Sequence, residues 1–486
     1  AFSPDGNFIY YSTYPTGNNV ATLYRVPSIG GVPQKILENL DAPVAFSPDG
    51  RRFALVVDYP SAGRSVLEVA NADGTERTKL AELTRPGRFV VAQGRLAWSP
   101  DGSTIAAPVV DGPGQTVALV ATSTGTMRMV TEKRWPIANG AQWLPGGREL
   151  IVAYRESGSS ATQLWRVDVD RGVATAVTRD LFSYADLGVT ADGNAIVAVA
   201  ALGESTMWTA DSDRLNEPRQ VTTGAADGEG AQGIDWTMDD SIVYTSRASG
   251  NPDVWILDAK GGTRRQLTAD AADDTQPSVS PDGRSIAFVS NRQGGTRIWV
   301  MQADGTDARP VSSGPGDIVP FWTPDSASIV FLSDVDVRQV NVAGGPERSL
   351  RSQWPPRTGE TAKTFIPRAR SQQGLVAGFE EVDPLRGGGW RLAFGPLDGS
   401  RSLTLLDATF GTSLGPIAWA PDGKAIDVLR PPADIWRYPL DGRPGFQLTR
   451  FAGPAVTRNF AWSPRGQLLV SRGENKTDLV LFKRAK

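Results

Sequence analysis

Cysteine and histidine are both missing from the 486 residues. Without a thiol or an imidazole there is no disulfide, no thiolate nucleophile, no zinc site of the usual N/S type and no Ser–His or Cys–His relay. The lack of cysteine does not fix the compartment, because a core of this size needs no staples in either redox environment. An excess of one charge is lacking too: 50 Lys and Arg stand against 53 Asp and Glu, a net charge of −3. That balance argues against nucleic acid or an anionic membrane surface as the partner. No apolar run reaches the roughly 18–20 residues of a membrane-spanning helix. No signal peptide is visible, but the sequence opens at Ala1, without a Met and inside a repeat. The expectation is that any targeting or membrane segment lies outside this sequence. Helical periodicity of any length is absent as well.

What the chain has in abundance is turn-forming residues, 52 Gly and 35 Pro, and they recur at a fixed interval. Phe46-Ser47-Pro48-Asp49-Gly50 returns as Trp98-Ser99-Pro100-Asp101-Gly102, Val279-Ser280-Pro281-Asp282-Gly283 and Trp419-Ala420-Pro421-Asp422-Gly423. Weaker copies end at Gly147, Ser326 and Gly466, and eroded ones lie at Thr190–Gly193, Trp236–Asp240 and Ser371–Gly374. With the copy at Pro4 there are eleven, and Pro4 to Pro464 spans ten intervals with a mean of 46 residues. That spacing is close to the roughly 40–45 residues of a four-stranded propeller blade.

Each unit reads as four strands. A short apolar strand ending in an aromatic leads into the Pro-Asp-Gly turn, where Pro presets φ and Gly takes φ > 0. A second strand follows, such as Ser285–Ser290, and then a third with an aromatic near its start, such as Arg297–Met301. A Gly-containing hairpin leads to a fourth strand ending in Leu-Thr or Val-Thr, as at Leu267-Thr268. The fold class expected is therefore all-β: a β-propeller of about eleven four-stranded antiparallel blades. Because one ring usually holds 4–8 blades, two rings in tandem are expected, residues 1–230 and 231–486, with strands from the other end of the chain available to close the second. The sequence ends on a third strand, Asp478–Phe482, with no fourth, and begins within a first strand. A segment preceding Ala1 is expected to supply the missing strand.

The Ser-Pro-Asp-Gly turn, the Ile-Ala-Phe-Val-Ser strand and the Ile-Trp-Val-Met strand before Asp304-Gly305 resemble the WD-like repeat of the TolB family of periplasmic propellers, best between Gln276 and Val311. Longer-range features are Gly30–Ile36, Arg134-Trp135, Val243–Asn251 and the closing Asp478–Leu481. Together these resemble the C-terminal propeller region of bacterial, acidobacterial-type transmembrane serine/threonine kinases and winged-helix regulators. The resemblance implies a periplasmic or extracytoplasmic sensor or protein-interaction region. It supplies no catalytic residues, and no kinase signature occurs in these 486 residues.

Turns of the Pro-Asp-Gly kind are stereotyped, so the variable loops on the opposite edge are where recognition is expected. Twelve of the 14 Trp occupy repeat positions and read as packing between blades. The two that do not, Trp135 and Trp354, are candidate binding residues. Acidic residues cluster on successive loops: Asp227 and Glu229, then Asp270, Asp273 and Asp274, then Asp317. Oxygen ligands of this kind suit Ca²⁺, but no spacing matches a calcium loop. A solvated acidic rim is the ordinary reading, so no metal or other cofactor is expected. The next long loop, Pro346 to Ser371, is basic: it carries Arg348, Arg351, Arg357, Lys363, Arg368 and Arg370 with Trp354-Pro355-Pro356 inside, an arm suited to orienting a charged peptide or glycan. Gly411–Gly415 matches the G-x-S-x-G elbow but lacks a histidine partner and a helix, so it carries no hydrolase.

These features point to a non-catalytic ligand- or protein-binding propeller with a protein or peptide partner, a small molecule or glycan being the other ligand classes. Two alternatives remain. One is a carboxylate-based glycan-processing enzyme, and the other is the gating propeller of a larger peptidase whose catalytic part lies outside this chain.

Overall fold

The computed structural model describes every residue except 14–20, 42, 60–61, 86, 92–94, 112–113, 136, 157–160, 181, 191, 224–227, 259–261, 294, 315, 334–335, 351–352, 355–364, 384–387, 411–413, 431–433 and 484–486. Among the described residues there is no α-helix, and the strands form eleven sheets in which neighbours run antiparallel. The chain is an all-β propeller protein. Its first compact unit comprises Ala1–Leu202 with Thr477–Lys486, and its second comprises Gly203–Lys476. Five of the eleven sheets fall in the first unit and six in the second.

The repeat motif folds as a self-contained hydrogen-bond network. In the turn after Phe46, Ser47 Oγ donates to Asp49 Oδ1 at 2.6 Å and accepts the Arg52 N–H at 3.0 Å. Ser280 does the same with Asp282 and Ser285, and Thr323 with Asp325 and Ser328. The residue closing the turn is left-handed, with φ of 69° at Gly50 and 71° at Gly283, a region open to glycine without steric cost, and Ser326 and Asp240 take it at 58° and 64°. Successive turns nest: the ring of Pro48 lies beside Gly102, that of Pro100 beside Gly147, and that of Pro421 beside Gly466. The terminal Leu-Thr also has a job. Thr178, Thr222, Thr268 and Thr449 each accept, through the hydroxyl, a backbone N–H of the neighbouring third strand at 2.8–3.0 Å.

Aromatic residues before the turn fasten sheet to sheet. The indole of Trp98 donates to the carbonyl of Ala45, that of Trp143 to Ala97 and that of Trp322 to Ser278, at 2.9–3.1 Å. In each case the acceptor lies two residues before the turn serine of the preceding repeat. Burial of these rings and of the Val, Ile and Leu on second strands builds cores between consecutive sheets.

The order of strands departs from the order of repeats at one place. By repeat, Thr206–Ala210 and Arg219–Gln220 complete the unit begun by Ser183–Val189 and Ala195–Gly203. Instead they pair with Leu468–Gly473 and Val456–Trp462, giving the sheet order Arg219–Gln220, Thr206–Ala210, Leu468–Gly473, Val456–Trp462. Ala195–Gly203 pairs with the last strand, Asn475–Lys483. Two repeats from distant parts of the chain have thus exchanged their outer strands.

 The pairings Thr206↔Arg472 and Ala210↔Leu468 fix that register. The unit boundary therefore falls between Leu202 and Gly203, not at the expected 230/231, and the last strand belongs with the first unit. The physical reason is the hydrogen bonding of Asn475–Lys483 to Ala195–Gly203.

The exchange closes the second unit. Its six innermost strands are Ile234–Trp236, Asp274–Val279, Asp317–Trp322, Phe365–Arg370, Ile417–Trp419 and Val456–Trp462. Each touches the next, and Val456–Trp462 touches Ile234–Trp236. An ion pair between Arg465 and Asp240 joins the last turn to the first.

Candidate functional site

Six innermost strands in a closed ring leave a central channel, and here it is a cavity of about 650 Å³. That size suits a small-molecule site, for which about 300–1,000 Å³ is usual. Several strands carry a β-bulge where they line the channel, between Thr275 and Ser278, Ile318 and Phe321, Pro367 and Ala369, and Thr457 and Asn459. A bulge re-aims side chains, and the last two of these present Arg368 and Arg458.

The wall is chemically two-sided. On the arc Phe365–Arg370, Ile417–Trp419 and Val456–Trp462, the polar lining is Arg368, Arg370, Arg458 and Asn459, with Pro416 and Ala418 between. The facing arc carries Asp235 and Gln276, whose first task is to stitch strands together. Asp235 accepts the backbone N–H of Trp236 and, from the next sheet, that of Val279, each at 2.8 Å. Gln276 Oε1 accepts the Val319 N–H at 2.7 Å. Burial pushes the Asp235 carboxyl up to about 6, although its two N–H donors and Arg370 pull the other way. Burial lowers Arg368, Arg370 and Arg458 from the ordinary guanidinium value, and Asp235 partly offsets this at Arg370.

Hydrogen bonding leaves these guanidinium groups underused. Arg458 Nη2 donates to Asn475 Oδ1 at 2.8 Å, and Arg370 Nη1 makes a 3.4 Å contact with the Ser371 carbonyl. The Nε atoms of Arg368 and Arg458 are buried without an acceptor. What the arrangement can do chemically is hold an anion.

The residues singled out from sequence sit elsewhere. Trp135 is buried, stacked on Tyr154 with ring centroids 3.7 Å apart. Trp354 packs edge-on to Phe365 at 5.1 Å, and its indole donates to the Pro396 carbonyl at 3.3 Å. The acidic residues are drawn into separate local networks. Arg292 bridges Asp270 at 2.7 Å and Asp274 at 2.5 Å. Glu229 is buried beside Arg264 at 3.3 Å. Asp317 is buried and accepts the Ser312 hydroxyl at 2.5 Å, and the Asp273 N–H donates to Asn291 Oδ1 at 3.2 Å. Asp227 and Arg357 lie outside the described residues, as do residues 411–413 of the elbow-like stretch. Among the described residues no group of three or more acidic side chains is placed to hold a metal ion.

Sequence reasoning missed the channel residues, although a signal was there. Arg370 precedes Ser371 at the position where six other repeats place Trp98, Trp143, Trp236, Trp322, Trp419 and Trp462 and the remaining four an apolar residue, Phe2, Phe46, Val189 and Val279. A charge in the aromatic slot of an innermost strand marks a lining residue.

Comparison with known proteins agrees with the fold. Residues 236–353 match the family model described as "TolB beta propeller domain", which covers three successive sheets of the second unit. That segment is TolB-like propeller. The chain is 35% identical over 92 residues to "Uncharacterized peptidase YuxL" of Bacillus subtilis (18% of this chain, 14% of the relative). It is 34% identical over 313 residues to "Dipeptidyl-peptidase 5" of Porphyromonas gingivalis (60% of this chain, 44% of the relative). It thus spans less than half the length of these two relatives. Among solved structures, TolB from Acinetobacter baumannii aligns with a TM-score of 0.35 at 18% identity, covering 64% of this chain and 65% of that one.

Proposed function

We propose that this chain is a non-catalytic propeller that binds a ligand or protein as an extracytoplasmic sensor or scaffold, in the manner of the propeller regions of transmembrane kinases and winged-helix regulators. The observation that carries the reading is the channel of the second unit. Its polar lining combines guanidinium, amide and hydroxyl groups with a single carboxylate, Asp235, a set suited to holding a charged group. The rigid repeat supports the same reading, since binding is carried by side chains held on a fixed scaffold. Of the loop residues read from sequence, Asp270, Asp273 and Trp354, with Asp227 and Arg357, remain a proposed outer contact surface for a protein or peptide, whereas Trp135, Glu229, Asp274 and Asp317 are buried and drop out of it. An extracytoplasmic site follows the TolB likeness of residues 236–353.

A second reading draws on the relatives named as peptidases: the chain would be the propeller part of a larger peptidase, with the catalytic residues elsewhere. One experiment separates catalysis from binding. The purified chain, given dipeptidyl p-nitroanilides and oligosaccharides, is expected to release no product. Turnover that follows the folded protein through purification would contradict the reading.

A further inference from the structure

We propose that the channel of the second unit is a site for a small organic polyanion carrying two or more carboxylates, held by Arg368, Arg370 and Arg458. This deepens the reading of the chain as a binding module and rests on it. Three guanidinium groups line one arc of the cavity, and among the described residues no carboxylate forms an ion pair with any of them. Asp235, on the facing arc, commits each oxygen to a backbone N–H. Arg370 feels one counter-charge, Asp235 across the cavity, and desolvation alone acts on Arg368 and Arg458. Enclosing guanidinium groups with so little compensation is unfavourable, and an anion entering the cavity relieves it.

The arrangement also selects the shape of the anion. Arg368, at the bulge, and Arg370 both line the channel from one strand, Phe365–Arg370. Arg458 belongs to a strand one removed, with Ile417–Trp419 between them. A ligand with two charged ends meets both strands, and a single-headed anion meets only one. Pro416 and Ala418 between the basic strands leave apolar wall for a short carbon skeleton. Bidentate guanidinium–carboxylate geometry supplies the directionality.

The test is calorimetric titration of the intact 486-residue chain with citrate, succinate, inorganic phosphate and acetate in a chloride buffer. Citrate or succinate is expected to bind saturably, with acetate at least about tenfold weaker. Arg370→Gln and Arg368→Gln should each weaken the dicarboxylate at least about tenfold, with circular dichroism and melting unchanged. Because Gln retains hydrogen-bonding capacity without the charge, the pair of variants isolates the cation. No saturable binding to folded protein, affinity undiminished in either variant, or binding of phosphate alone would overturn the assignment. Consumption of the bound acid would instead break the non-catalytic reading and leave the site standing, so the two failures are distinguishable.

Discussion

Gly473 lies so close to Glu204 that a Cβ on the glycine would overlap the Glu204 carbonyl oxygen. The Glu204 N–H in turn donates to the Glu474 carbonyl at 2.9 Å. These are the residues at which the chain passes from Ala195–Gly203 to Thr206–Ala210 and from Leu468–Gly473 to Asn475–Lys483. The exchange of strands thus depends on a residue without a side chain at position 473. Gly473→Ala is expected to destabilise the second unit by at least about 1–3 kcal/mol, the usual cost of overpacking. Gly146→Ala, where no atom lies within 4 Å of the added carbon, should stay within about 0.5 kcal/mol. Urea unfolding of the two variants makes the comparison.

The Leu-Thr ending of the repeat predicts a polarity effect inside a buried edge. Thr268 Oγ1 accepts the Val254 N–H at 3.0 Å and donates to the buried Asp253 at 2.9 Å. Thr268→Val keeps the shape and strands both partners, at an expected cost of about 1–3 kcal/mol. Thr268→Ser should recover most of it. Equal loss in both variants would show that the methyl group, not the hydroxyl, matters.

Stability should also depend on pH through Asp235. Its carboxyl stands at about 6 in the folded chain against an ordinary 3.8, because burial disfavours the charge, and Arg370 is the charged group acting on it. The folded state therefore holds the proton more tightly than the unfolded chain. This contribution is fully present below about 3.8 and is lost as pH rises through about 6. Relative to Asp235→Asn, the native chain should lose at most about 3 kcal/mol between pH 4 and pH 7. A difference that stays constant across that range would contradict the assignment.

Calcium should have no effect on melting. Arg292 already occupies Asp270 and Asp274, and Glu229 faces Arg264. At Asp270, Asp274 or Glu229 a cation would have to displace a guanidinium. Thermal unfolding in EDTA and in millimolar Ca²⁺ is expected to coincide, and a rise in melting temperature abolished by Asp273→Ala would contradict this.

The repeat was legible because its turn is a local device. Ser, Pro, Asp and Gly at fixed offsets make a network within six residues, as at Ser47 to Arg52, and sequence spacing reports it directly. The strand exchange was not legible. Thr206–Ala210 has the pattern of any third strand, and only its partner across more than 250 residues of chain distinguishes it. The loop carboxylates misled for a related reason: sequence shows Asp270 and Asp274 but not Arg292 folding back between them. The channel was half legible, since Arg368 and Arg370 were read as part of a basic loop whereas they belong to the innermost strand Phe365–Arg370.

The strand exchange that closes the second unit around its channel is best tested by disulfide trapping, because the chain has no cysteine to interfere. Thr209 faces Leu469 and Thr206 faces Arg472 across the proposed pair. The two sites are three residues apart along the strand, so one of them is the closer, non-hydrogen-bonded kind that suits a disulfide. Thr209→Cys with Leu469→Cys, or Thr206→Cys with Arg472→Cys, should cross-link under mild oxidation and shift mobility on a non-reducing gel. If neither pair cross-links while cysteines placed on Ala195–Gly203 and Thr206–Ala210 do, the repeats follow simple chain order and the account fails.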